Sequence, residues 1–143
     1  MKNLESILGN DEYLEEGKSF IRLFNEYKTH GSLCIGFDFD GTVYDYHGSG
    51  ASYERVRQLL RNLKSIGCKL VCWTAHSDLK FVEEFCINNN IPCDDINSGG
   101  ITLDWNSVKP FFSALLDDRA GLPHVYSDLK LLYDTVKYEE LQK

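Results

Sequence analysis

The sequence predicts an α/β fold with a mostly parallel sheet and helices on both faces, and three observations carry that expectation. From residue 33 onward, short apolar runs alternate with amphipathic stretches of helical period. Each crossover holds a helix-length segment, as parallel pairing requires. Polar residues, Asp and Thr, stand directly after three of the apolar runs.

The elements follow in order. Residues 1–31 read as a helical extension packed on the core, with Leu14, Ile21 and Phe24 on one face and Leu23 and Tyr27 beside them. Gly31-Ser32 ends it, and the remaining chain, 32–143, forms the core domain. Leu33–Phe37 is a buried strand. Ser52 caps a helix with Tyr53, Val56, Leu59, Leu60, Leu63 and Ile66 inward, and Gly67 stops it. Lys69–Trp73 is the second strand. Ser77 caps a helix carrying Leu79, Val82, Phe85 and Cys86 on one face, and Pro92 closes it. A short strand lies near Asp95-Ile96, and a Gly-rich loop (Ser98-Gly99-Gly100) follows. Ser113–Leu116 is a strand running into Asp117-Asp118, and a last helix from about Asp128 turns Leu129, Leu132, Tyr133 and Val136 inward.

Composition excludes several classes. The 143 residues suit one domain, and 43% hydrophobic with 26% charged residues is an ordinary soluble profile. A net charge of −7 disfavours a broad grip on nucleic acid, which draws its affinity from Lys and Arg. No apolar run is long enough to span a membrane, and the chain does not open like a signal peptide. Cys34, Cys68, Cys72, Cys86 and Cys93 are an odd set without Cys-x-x-Cys spacing, several inside apolar runs. They read as buried, reduced thiols in a cytoplasmic protein and not as a zinc site.

The chemistry lies at the strand ends. Asp38 and Asp40 follow the first strand, Thr74 the second, and Asp117 and Asp118 the fourth. Ligands of open parallel sheets bind beyond the carboxyl ends of the strands, so these side chains are expected to meet. Four carboxylates in one place repel one another, and a cation is the usual remedy. Hard oxygen ligands without His or Cys favour Mg²⁺ over zinc. Lys109, just ahead of the fourth strand, can reach the same edge and offset phosphoryl charge. A carboxylate nucleophile, a second carboxylate, a hydroxyl, a lysine and an acidic pair together suit phosphoryl transfer.

Across roughly residues 33–140 these features resemble the haloacid dehalogenase (HAD) superfamily. Asp38-Phe39-Asp40-Gly41-Thr42 is similar to its first motif, Asp-x-Asp-Gly-Thr. Leu70–Thr74 is similar to the second, Lys109-Pro110 to the third, and Leu115-Leu116-Asp117-Asp118-Arg119 to the acidic fourth. The resemblance implies a Rossmann-like three-layer fold and a division of labour. Asp38 would attack phosphorus, and Asp40 would protonate the leaving oxygen and then deprotonate water. Thr74 would bind a phosphoryl oxygen, and Lys109 would neutralise shared charge. Gly41, Thr42, Ala75 and His76 would line the substrate. Mg²⁺ would be held by Asp38, the Asp40 backbone carbonyl and the acidic pair, with Asp118 favoured as direct ligand and Asp117 orienting water or Lys109. Asp at position 40, where transport ATPases of the superfamily carry Thr, points to hydrolysis.

Val43–Ala51 has room for a short hairpin flap but not for a cap domain, so the expected enzyme is capless, with an open site or a lid lent by another subunit. Its expected substrate is a small phosphate monoester such as a nucleotide or sugar phosphate. A 3′-phosphatase on nucleic-acid ends is the alternative. Relatives often carry Arg where this chain has His76, and an imidazole grips a second phosphate less firmly. A phospho-acceptor or binding module is a third reading, although receiver modules place their acidic pair before the phosphorylated Asp. Tyr46 and His47 in the flap, and Trp105 ahead of Lys109, are open between surface or core packing and substrate contact.

Overall fold

The computed structural model of the chain describes residues 11–100 and 111–143. Lys109 and Trp105, named above, lie outside the described residues. The fold is α/β and Rossmann-like. Helix α1 (Lys18–His30) leads into β1 (Cys34–Phe37), followed by α2 (Glu54–Ser65), β2 (Lys69–Cys72), α3 (Leu79–Asn88), β3 (Asp95–Ile96), β4 (Ala114–Leu116) and α4 (Leu122–Leu141). The sheet order is β3-β2-β1-β4, and every pairing is parallel. Among the described residues no helix is long and apolar enough to cross a membrane.

Strand alternation sets the core. Ile35 and Phe37 on β1 pair with Leu70 and Cys72 on β2, and Phe37 also pairs with Leu116 on β4. These residues are fully buried and join one cluster with Leu23 of α1, Leu60 and Leu63 of α2, Val82 of α3 and Leu129 and Leu132 of α4. Four of the five cysteines are buried and Cys93 is half-buried. Burial pushes the Cys68 thiol up to about 11.

Helix boundaries differ from the expectation in informative ways. The inward face of α1 is Phe20, Leu23, Phe24 and Tyr27, whereas Leu14 and Ile21 are exposed. Phe20, Leu23, Phe24 and Tyr27 are spaced i, i+3, i+4, i+7, a wider stripe than the one drawn through Leu14 and Ile21. The Tyr27 hydroxyl also donates to the Ile66 carbonyl at 2.8 Å. Ser52 accepts from the Glu54 N–H (3.3 Å), but Tyr53 turns left-handed between them (φ 55°), so α2 starts at Glu54. Asp78, not Ser77, caps α3, its carboxylate accepting from the Phe81 N–H at 3.1 Å. Leu79 consequently sits in the first turn, exposed. Helix α4 begins six residues before the expected Asp128, with Pro123 in its first turn, where a missing N–H costs nothing.

Residues 43–51 form a turn and not the expected hairpin, with one isolated bridge between Asp40 and Tyr44. The Asp45 carboxylate explains why. It accepts from the Ser49 N–H (2.9 Å), the Ser49 hydroxyl (2.9 Å) and the Gly50 N–H (2.7 Å), so these donors close locally instead of on a ladder. Those bonds hold the Asp45 carboxyl below its ordinary value. Arg57 anchors the start of the turn, reaching the Val43 carbonyl through Nε (3.0 Å) and Nη2 (2.8 Å).

Candidate active site

Sheet order fixes the place of the site. From β1 the chain proceeds through β2 to β3 on one side, then returns to place β4 on the other. The gap beyond the carboxyl ends of β1 and β4 is therefore the topological switch point, where such sheets open a crevice. Asp38 and Asp117 follow the last paired residues of those two strands, Phe37 and Leu116. The Asp38 N–H donates to the Leu116 carbonyl at 2.8 Å, which carries the register one step further and sets the two carboxylates side by side.

Asp38, Asp117 and Asp118 each offer a carboxylate oxygen, all within 4.8 Å of one another. Asp38 pays for this crowding in its acidity. Burial first, then the Asp117 charge and a carboxyl contact with Asp118, push it up from 3.8 to about 7. The chain bends so closely that a Cβ on Gly41 (φ 75°) would lie 3.0 Å from an Asp118 carboxylate oxygen. Glycine therefore suits position 41 twice, for its backbone and for its missing side chain.

Thr42 ties the two acidic segments together. It is completely buried, its hydroxyl donating to Asp38 Oδ2 (3.3 Å) and accepting from the Asp118 N–H (3.2 Å). Asp117 turns its own carboxylate back to accept from the Arg119 N–H at 2.8 Å. Asp40 is half-buried, and its Oδ1 is shielded from water without a hydrogen-bond partner among the described residues. An orphaned carboxylate oxygen is uncommon in a folded interior.

Thr74 follows β2, one residue past the level of Asp38. Its backbone is clamped by Asn97, whose Oδ1 accepts from the Thr74 N–H (2.7 Å) while Nδ2 donates to the Thr74 carbonyl (2.9 Å). The Thr74 hydroxyl accepts from the His76 N–H (3.0 Å), which leaves its own proton free to donate outward. His76 is half-buried, stacked on Phe81 (5.6 Å) and edge-on to Phe39 (5.7 Å). Its Nδ1 accepts from the Asp78 N–H (3.1 Å), so the neutral ring carries its proton on Nε2. Ala75, between them, is exposed.

Among the described residues, Asp38, Asp117 and Asp118 converge with oxygen donors only, the donor type that a hard cation such as magnesium takes. Asn97 and Arg57 were not singled out from the sequence. An Asn directly after a short strand, where it turns left-handed (φ 56°), is the one local signal for the former, and nothing distinguishes Arg57 from a surface arginine.

Fold and site together define a class, an open parallel α/β protein with its acidic groups at the switch point. No protein-family model matches the chain, and no curated protein does. Among solved structures, a conserved protein coded by a locus from Bacteroides thetaiotaomicron is similar at a TM-score of 0.56 and 21% identity, over 76% of this chain and 92% of that one. The likeness is one of fold.

Proposed function

We propose that this chain is a magnesium-dependent phosphomonoester hydrolase of the HAD type, capless and cytoplasmic, acting on a small phosphate monoester through an aspartyl-phosphate. The observation that carries the reading is the convergence of Asp38, Asp117 and Asp118 at the switch point, with their oxygens within 4.8 Å. Carboxylates whose ionisation is displaced by burial and by like charge cluster at functional sites, and that supports the reading.

Magnesium would be held by Asp38, the Asp40 carbonyl and the Asp117-Asp118 pair, and would supply positive charge to offset that of a phosphoryl group. The remaining chemistry belongs to the chain. A carboxylate oxygen of Asp38 forms a bond to phosphorus as the ester P–O bond breaks, and Asp40 gives its proton to the departing alkoxide. Asp40 then takes a proton from water, whose oxygen attacks phosphorus. The bond to Asp38 breaks, and inorganic phosphate leaves. The free hydroxyl proton of Thr74 can meet a phosphoryl oxygen, and Lys109 is proposed to share the negative charge.

The test is a panel of monoesters (nucleotides, sugar phosphates, p-nitrophenyl phosphate and a 3′-phosphorylated oligonucleotide) with magnesium or EDTA. Turnover that EDTA abolishes is expected, highest on a small ester. Asp40→Asn should slow turnover most on esters with poor leaving groups, which need the proton. Equal rates with EDTA, or an Asp40→Asn protein as fast as wild type on those esters, would reject the reading.

A further inference from the structure

Hydrogen bonding continues past the paired strands on both sides of β1. The Trp73 N–H donates to the Phe37 carbonyl (2.8 Å), just as the Asp38 N–H donates to Leu116. Trp73, Asp38 and Asp117 therefore form one row across β2, β1 and β4, each about 4.8 Å from the next. The row lies two residues beyond the paired level of Val71, Gly36 and Leu115. Trp73 thus occupies the register position next to Asp38.

The Trp73 indole is neither core nor ordinary surface. The residues one step earlier in the row, Cys72, Phe37 and Leu116, are wholly buried, whereas Trp73 keeps 38% of its surface exposed. One part of it is propped by Phe112, ring to ring at 5.9 Å and 64°. Phe112 is itself fixed by the missing side chain of Gly36, where a Cβ would meet it at 3.0 Å. The outcome is a rigid, partly open aromatic surface flanking an acidic cluster. Carboxylates repel an anionic ester, so contact with its uncharged portion is the natural second source of affinity.

Resting on the proposed hydrolase reading, we infer that Trp73 is a stacking platform that selects phosphate monoesters whose alcohol part carries a planar aromatic ring. Two sources share this chemistry: an aryl ester, with the ring on the ester oxygen, and a nucleoside monophosphate, with the ring one sugar away.

The experiment compares Trp73→Leu and Trp73→Phe with the wild type on phenyl phosphate, adenosine 5′-monophosphate and glycerol 2-phosphate. Circular dichroism checks that each variant is folded. Trp73→Leu should lower kcat/KM about tenfold on whichever ring-bearing ester is used, mainly through KM, because a base on an aromatic ring gives roughly that much. Glycerol 2-phosphate should change less than twofold, and Trp73→Phe should keep most of the ring preference. The binding readout is independent of turnover. In an Asp38→Asn background, the ring-bearing esters should quench tryptophan fluorescence saturably, glycerol 2-phosphate should not, and Trp73→Phe should remove the quench. An equal loss on all three esters, or no quench by either ring-bearing ester, would overturn the inference. A wild type that hydrolyses no monoester at all would instead sink the hydrolase reading, and quenching would still decide whether Trp73 stacks on rings.

Discussion

Replacing Thr42 with valine removes one oxygen and nothing else of consequence. The two side chains are nearly the same shape, so the fully buried site gains no cavity. What goes is the hydroxyl between Asp38 Oδ2 and the Asp118 N–H. A hydrogen bond to a charged group contributes about 1.5–3 kcal/mol, and this one, at 3.3 Å, belongs at the low end. The Asp118 N–H lies at an exposed residue and can turn to water, so its loss adds little. The net cost should be about 1–2 kcal/mol, which for a domain of this size lowers Tm by about 3–7 °C. Activity should fall further than stability, since the link sets Asp38 against the acidic pair and a displacement of about 1 Å can cost about a hundredfold. Thermal melts and kcat on p-nitrophenyl phosphate measure both, with Thr42→Ser as the control that restores the hydroxyl. A Thr42→Val protein with wild-type Tm and kcat would refute the reasoning.

Other expectations concern the rest of the site. Asn97→Ala removes both bonds to the Thr74 backbone and should cost about 1–2 kcal/mol in urea unfolding, with at least a tenfold drop in kcat/KM; Asn97→Asp, which keeps the acceptor, should fall between. Asp38 should make the metal-free protein pH-sensitive, because its folded value of about 7 lies above the ordinary 3.8. The native state then holds the extra proton between about pH 4 and pH 7, so stability falls as pH rises through that window. The full displacement would be about 4 kcal/mol, and solvent screening at this partly open site reduces it to about 1–2 kcal/mol. Denaturation in EDTA at pH 5 and pH 8 checks the sign, and magnesium should recover the loss at pH 8.

Much of this was legible from pattern. The strands are short, three of them are apolar runs closed by Asp or Thr, and parallel pairing with those ends aligned follows from the intervening segments. Asp38, Asp117 and Asp118 were therefore placed together by chain order alone. Helix starts were less legible, since Ser52 and Ser77 each precede a residue that governs entry by other means: Tyr53 through a left-handed backbone, Asp78 through a stronger cap. The clamp of Asn97 on Thr74 and the hold of Arg57 on Val43 are long-range, and no local period encodes a bond across 23 or 14 residues. Trp73 reads as a strand residue in sequence. Only the register places it next to Asp38 in the row, and part of its surface is open.

Asp38 is the residue proposed to take the phosphoryl group. Wild-type protein quenched in acid during turnover of a ³²P-labelled monoester with magnesium should carry label that hydroxylamine removes, mapped by peptide analysis to Asp38. Asp38→Asn should show neither label nor turnover. A fully active Asp38→Asn protein, or label on another residue, would contradict the account.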